Sequence, residues 1–420
     1  MDEKIIKLNQ IMILMISPIL VLNIASLVNN VEYKNFGMKS IDAAYLLFSL
    51  FFIIMYKWKA LDFTKFKAIY SLFALYTFIY LYSYIQYQDD RSLETMLHFT
   101  LYFVIILSLL RMKWNKQGLI ILASGLSIFI LVVFRHWVYQ DFRTGNFRSY
   151  ITNPNGLGII LYCSIFFTSL AALYSKAIGK VIFATISAIG FILIIATSSR
   201  SVYLTLLAFV IFYFILKFRI EWFKKLFLPI LLVNLTFPII YILISKGPIA
   251  QIVSNLFVNI FTQTIFSGRE IIWEPVIENG ILKSPFLGNG YGTMPWDISE
   301  VNLTTHNVYL QVLLEVGMFG LFVFCMILFY IWRLLKDNLH TIAGQFSACY
   351  LLALLLYINF ELTLFPNSPS FATIGIFQWL GVTIGINFVE SRESINTQTN
   401  SSQNNNQRKV FRSTRTSKSK

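Results

Sequence analysis

Runs of about twenty apolar residues recur along this chain, and a helix needs about that length to cross the hydrocarbon of a bilayer. Twelve such runs are legible, at 8–28, 40–56, 68–86, 95–110, 118–134, 156–175, 180–197, 201–216, 226–245, 307–332, 343–361 and 371–389. None shows the ten-residue alternation of a barrel strand. Backbone groups in lipid must be satisfied within the spanning segment. The expected fold is therefore all-α: a polytopic membrane protein of about 12 transmembrane helices. The first run lacks a small-residue cleavage site and reads as a first span, not a signal peptide. Composition agrees, since only 13% of residues are charged, about half the usual share in soluble domains.

The net charge of +14 raises the question of nucleic acid, but its distribution answers it. With the N-terminus in the cytoplasm, the inner segments 1–7, 57–67, 111–117, 176–180, 217–225, 333–342 and 390–420 carry 24 of the 34 Lys and Arg residues. That is the positive-inside pattern, so both termini are expected inside and no nucleic-acid partner is expected. Residues 1–389 read as one transmembrane helical domain. Residues 390–420, rich in Ser, Thr, Asn, Gln, Lys and Arg, read as a disordered basic cytoplasmic tail that can touch anionic headgroups. Cys163, Cys325 and Cys349 all lie in apolar runs, where small hydrophobes are the plain reading. No disulfide, metal site or cofactor is expected.

Two outer loops stand apart, 135–155 and the much longer 246–306. Long loops of ordinary composition tend to carry function. In the second, apolar residues recur from Ile249 to Phe261 at helical spacing, which predicts an amphipathic helix lying in the interface. A short helix is expected after Gly268, with Arg269 near its start and Trp273 one turn on. The segment S-P-F-L-G-N-G-Y-G-T (284–293) is turn-rich and suits close backbone approach. It follows no strand and is not a nucleotide fingerprint.

Outward-facing cations near these loops are mostly arginine: Arg135, Arg143, Arg148, Arg200 and Arg269. Arginine grips phosphate bidentately. Arg135 and Arg143 read more simply as interfacial snorkellers or partners of nearby acids, whereas Arg200 and Arg269 each sit in a motif. T-S-S-R (197–200) ends a span. G-R-E-I-I-W (268–273), P-F-L-G-N-G (285–290) and H-N-V-Y-L-Q-V-L-L-E-V-G-M-F-G (306–320) follow in order, and N-P-N-G-L-G (153–158) opens a central span.

These segments resemble the O-antigen ligase and O-antigen polymerase superfamily of bacterial surface-glycan enzymes, over roughly residues 148–330. The match is to T-x-S-R, G-R-x-x-x-W, P-x-x-G-x-G and H-N-x-x-L-x-x-x-x-E-x-G-x-x-G, while the N-terminal spans match only in hydropathy. The resemblance implies a bundle with a large extracytoplasmic loop in the bacterial cytoplasmic (inner) membrane. It also implies transfer of a glycan from a polyprenyl pyrophosphate donor to a glycan acceptor, without metal or nucleotide. The family's functional arginines and histidine map onto Arg200, Arg269 and His306. Membrane lipids, a flippase and chain-length regulators are the further partners it implies.

The chemistry fits. Negative charge develops on the departing pyrophosphate, and preorganised guanidinium groups stabilise it. Arg200 and Arg269 are the best placed, with Arg148 a lesser one. The acceptor hydroxyl must lose a proton, and an imidazole at His306 can take it as general base. A helix-capping interfacial histidine is the plainer reading, and His136 is a weaker alternative base. Asn155, Trp273, Tyr291 and Asn307 are candidate substrate contacts, although outer aromatics also form interfacial belts. Glu315 is not expected to orient His306. On an unbroken helix nine residues put it about 13 Å deeper and on the opposite face. It reads as a bundle-interior group, with Gly317 and Gly320 allowing helices to approach. Asn307 is placed to cap the helix.

Polymerisation of repeat units is one outcome of this chemistry, and ligation of a finished glycan to another acceptor is the other. A lipid-linked glycan flippase or secondary transporter is the rival class. It would show two related halves around a midplane cavity, and no such repeat is visible.

Overall fold

A computed structural model describes residues 3–57, 63–87, 90–247, 250–252, 254–255, 268–364 and 369–389. Each of the twelve apolar runs lies on a helix: α1 Glu3–Asn23, α2 Val31–Lys57, α3 Phe63–Tyr87, α4 Asp90–Leu109, α5 Lys116–Tyr139, α6 Pro154–Tyr174, α7 Ala177–Thr197, α8 Arg200–Phe218, α9 Phe227–Lys246, then, after the short helix α10 Arg269–Pro275, α11 Val308–Asp337, α12 Ile342–Tyr357 and α13 Pro369–Asn387. The described residues contain only isolated bridges of β-structure. The protein is an all-α polytopic membrane protein. By length and composition, eight helices among the described residues are long and apolar enough to cross a membrane. The apolar part of α4, together with α12 and the apolar part of α13, is shorter.

Polar side chains start several of these helices. Asn115 accepts from Gly118 N at 2.8 Å, and Thr341 accepts from Gly344 N at 2.9 Å. Asn153 accepts from Asn155 N at 2.8 Å, with Pro154 the first residue of α6. Each satisfies a backbone donor that the helix itself leaves open. Inside the spans, Ser127 donates to Ala123 O and Ser164 to Ile160 O, both at 2.7 Å, so hydroxyls are also paired within the segment.

The core is centred on α6, α12 and α13, which are buried along nearly their whole lengths. α6 packs on α7, α12 packs on α8 and α13, and α11 packs on α3. The helix α12 has 16 residues, which spans about 24 Å at 1.5 Å per residue. It stops at Tyr357, and the polar residues Asn359 and Glu361 follow in a turn.

Helix α11 is not the unbroken rod expected from its apolar run. Gly317 interrupts it with φ 64° and ψ −163°, a region that is essentially glycine-only. The P-F-L-G-N-G segment fills the break. Met318 N donates to Pro285 O at 2.9 Å, Asn289 N to Leu314 O at 2.8 Å and Gly290 N to Glu315 O at 3.1 Å. A Cβ on Gly317 would lie 2.3 Å from Phe286 O, and one on Gly288 2.4 Å from Glu315 O. Gly317 thus admits a loop backbone, not a neighbouring helix. The amphipathic helix expected over 249–262 falls largely outside the described residues, as does the tail 390–420.

Candidate functional site

The T-S-S-R turn joins α7 to α8. Ser198 closes α7 in the left-handed region, at φ 55°. Thr197 Oγ1 donates to Ile194 O at 2.7 Å and accepts from Ser199 N at 3.3 Å. The chain therefore reverses in two residues. Arg200 emerges exposed as the first residue of α8, and Ser199 is buried against α6, where its Oγ donates to Asn155 Oδ1 at 2.7 Å.

Asn155 passes this contact on. Its Nδ2 donates to Glu361 Oε1 at 2.8 Å, and the other carboxylate oxygen, Oε2, lies 3.2 Å from His306 Nδ1. Glu361 is 6% exposed, whereas the His306 side chain is 34% exposed. A carboxylate next to Nδ1 favours the tautomer with the proton there. Nε2 is then left with its lone pair.

His306 is held by its neighbours. Its own backbone is left-handed, at φ 47°, an uncommon conformation that histidine tolerates better than most residues. Thr305 and Asn307 on either side are fully buried. Thr305 O accepts from Trp273 Nε1 at 2.7 Å. Asn307 caps α11 by accepting from Leu310 N at 2.9 Å, and its Nδ2 donates to Asn359 Oδ1 at 3.0 Å.

Arg269 arrives from the long loop, where Gly268, at φ 77°, opens α10. Its Nη2 donates to Phe360 O at 3.1 Å, and the guanidinium carbon sits 5.0 Å from the centre of the Phe360 ring. Burial pushes the Arg269 pKa down from its ordinary value. The Glu361 carboxylate opposes that shift, and the Arg200 guanidinium adds to it. Two arginines of like charge and one carboxylate thus converge where His306 stands.

The sequence candidates divide into two groups. His306, Arg269, Arg200 and Asn155 share this cluster. Trp273 is fully buried between Phe237, Tyr241 and Thr305, and Asn307 is fully buried in its capping role. Tyr291 is buried edge-on to Tyr80, 4.4 Å between ring centres, and its backbone N donates to Ser83 Oγ. Burial, and next the Glu315 carboxylate, push the Tyr291 phenol well above its usual range. These three side chains pack the scaffold. Arg148 is exposed and shares no hydrogen bond or ion pair with the cluster among the described residues. His136 pairs elsewhere, with Ser149 and Gln140.

Sequence reading missed Glu361. It stands at the very end of the apolar run 343–361 and belongs to no motif. The available signal was that no other acid stands between Asp337 and Glu390, and acids are rare in spans unless functional.

The structure is thus an all-α membrane bundle with a histidine, a buried carboxylate and two arginines gathered at one end. Residues 185–325 match the family described as O-antigen ligase. That stretch contains T-S-S-R, G-R-E-I-I-W, P-F-L-G-N-G and the H-N segment, and the match over it supports the O-antigen ligase/polymerase superfamily and glycan processing of that type. No curated protein matches the chain.

Proposed function

We propose that the protein transfers a glycan from a polyprenyl pyrophosphate donor to a sugar hydroxyl at the outer face of the bacterial cytoplasmic membrane. The product is a growing surface polysaccharide built from oligosaccharide repeat units. The observation that carries this reading is the His306–Glu361 pair with Arg269 beside it. The acceptor hydroxyl oxygen bonds to the anomeric carbon of the donor, and its proton passes to His306 Nε2. The bond from that carbon to the pyrophosphate oxygen breaks, and its electron pair leaves with the phosphate. Arg269 and Arg200 stabilise the charge that forms there. Glu361 accepts from Nδ1–H, fixes the ring and favours the imidazolium. Arg148, exposed on the neighbouring loop, is assigned to donor approach. Both termini lie in the cytoplasm in this scheme, and a flippase supplies the donor from the other side.

The description of the matched family favours a second reading, ligation of a finished glycan to another acceptor. Both readings use the same chemistry. A flippase fits less well, because the polar groups gather at one end of the bundle. In membranes supplied with a polyprenyl pyrophosphate oligosaccharide, His306→Ala and Arg269→Ala are expected to accumulate unextended donor at normal protein level. Full-length chains from both variants would refute the site. Elongation with the donor as sole glycan marks a polymerase, and product only after a separate acceptor is added marks a ligase.

A further inference from the structure

Glu315 lies in α11, 3% exposed, in the broken segment that the P-F-L-G-N-G loop packs against. An intramembrane carboxylate is costly unless it is partnered. Side chains donate to Glu315: Gln311 Nε2 reaches Oε1 at 2.7 Å, and Tyr80 OH reaches Oε2 at 3.3 Å. The bond from Gln311 has a consequence beyond solvation. Gln311 Nε2 also donates to Thr293 O at 2.9 Å. These partners, and Met294 Sδ at 3.9 Å, are all acceptors, so the amide has one permitted orientation. A flip would set its carbonyl against a carboxylate and a backbone carbonyl. The orientation leaves Gln311 Oε1 facing Thr305, whose Oγ1 donates to it at 3.0 Å. The same hydroxyl lies 3.2 Å from Asn307 O. Thr305 and Asn307 are the two residues that hold His306 in its left-handed backbone.

We infer that Glu315 is a positioning residue for His306, acting through Gln311 and Thr305. The inference rests on the reading of His306 as the base. Glu315 touches no reactant. It sets the Gln311 amide, which sets the Thr305 hydroxyl, and the Thr305 hydroxyl pins the turn that presents the imidazole. Removing the carboxylate takes away one of the acceptors that fix the amide and so loosens the turn. Misplacing a catalytic group by about 1 Å costs on the order of 100-fold in rate.

The test compares Glu315→Leu, Glu315→Gln, Thr305→Val and the double variant Glu315→Leu/Thr305→Val in the full-length protein in proteoliposomes. Two quantities are read: kcat and KM for glycan transfer, and the rate of diethyl pyrocarbonate modification of His306 by mass spectrometry, with His136 as internal reference. Glu315→Leu is expected to lower kcat by about 100-fold with little change in KM, and to speed His306 modification several-fold while His136 is unchanged. Glu315→Gln keeps an acceptor oxygen for Gln311 and restores most of both. The double variant is expected to be no worse than Glu315→Leu alone, because both remove one pathway. Wild-type modification of His306 in Glu315→Leu, or additive losses in the double variant, would overturn the inference. If Glu315→Leu does not accumulate, Gln311→Leu and Thr305→Val carry the same test. The modification readout does not depend on catalysis. Full activity of His306→Ala would remove the base assignment while still leaving the modification rates to judge the positioning.

Discussion

His306 Nδ1 lies 3.2 Å from Glu361 Oε2, joining the entrance of one helix to the turn that ends the next. The pair converts a half-exposed histidine into an oriented one. Its partner is not the acid of its own motif, Glu315, which instead bonds Gln311 and Tyr80.

Glu361→Gln should lower kcat for glycan transfer by about 100-fold or more while KM moves little. The amide still fills the space but offers an N–H where Nδ1–H needs an acceptor, or loses the charge that favours the imidazolium. Steady-state kinetics with a defined donor decide it. Unchanged kcat would show that His306 works without the carboxylate.

Asn155→Asp should be more harmful than Asn155→Ala. The substitution sets a second carboxylate against Glu361 Oε1, now 2.8 Å from Asn155 Nδ2, and two carboxylates that close do not both ionise comfortably. A loss of about tenfold or more beyond that of the alanine variant is expected. Parallel activity assays at matched protein level check the order, and equal losses would argue against like-charge repulsion.

Arg269→Lys should not rescue Arg269→Ala. The guanidinium both donates to Phe360 O and lies over the Phe360 ring, and an ammonium does not reproduce that flat, forked geometry. The expected fall in kcat/KM is about 100-fold. Near-normal kinetics from the lysine variant would mean that only a point charge is required.

Gly317→Ala should destabilise the protein by about 3 kcal/mol, because its backbone lies in a glycine-only region and a Cβ would meet the Phe286 carbonyl. Gly145→Ala is the control: its φ is also positive, at 79°, but nothing lies within 4 Å of the added carbon, and the cost should be about 1 kcal/mol. Thermal unfolding in detergent compares the two. Equal midpoints would show that the loop, not the helix, gives way.

Activity should persist in EDTA with no nucleotide added, because the proposed charge stabilisation comes from Arg200 and Arg269. A chelator-sensitive rate restored by one divalent cation would require a metal at the pyrophosphate.

Much of the scaffold was legible because its signals are local. Each apolar run maps onto a helix, Asn307 caps α11 as its position implied, and Arg269 begins a short helix after Gly268. The motif residues His306, Arg200, Arg269 and Asn155 converge. Local pattern failed where the structure depends on a distant backbone. The run from 307 to 332 carried no mark of the break at Gly317, since a glycine within a span also suits close helix packing. Trp273 and Tyr291 read as outer aromatics, but their burial comes from α9 and α3.

By itself the sequence determined that this chain is a helical membrane protein and marked the motif segments proposed to carry its chemistry, because hydrophobic length and motif order are properties of contiguous residues. Tertiary structure alone decided that Glu361 pairs with His306, that Asn155 joins Ser199 to Glu361, and that Glu315 faces inward to Gln311. The physical reason is range. A hydrogen bond acts over about 3 Å, and which polar groups come that close across 55 or 206 positions of sequence is set by helix packing.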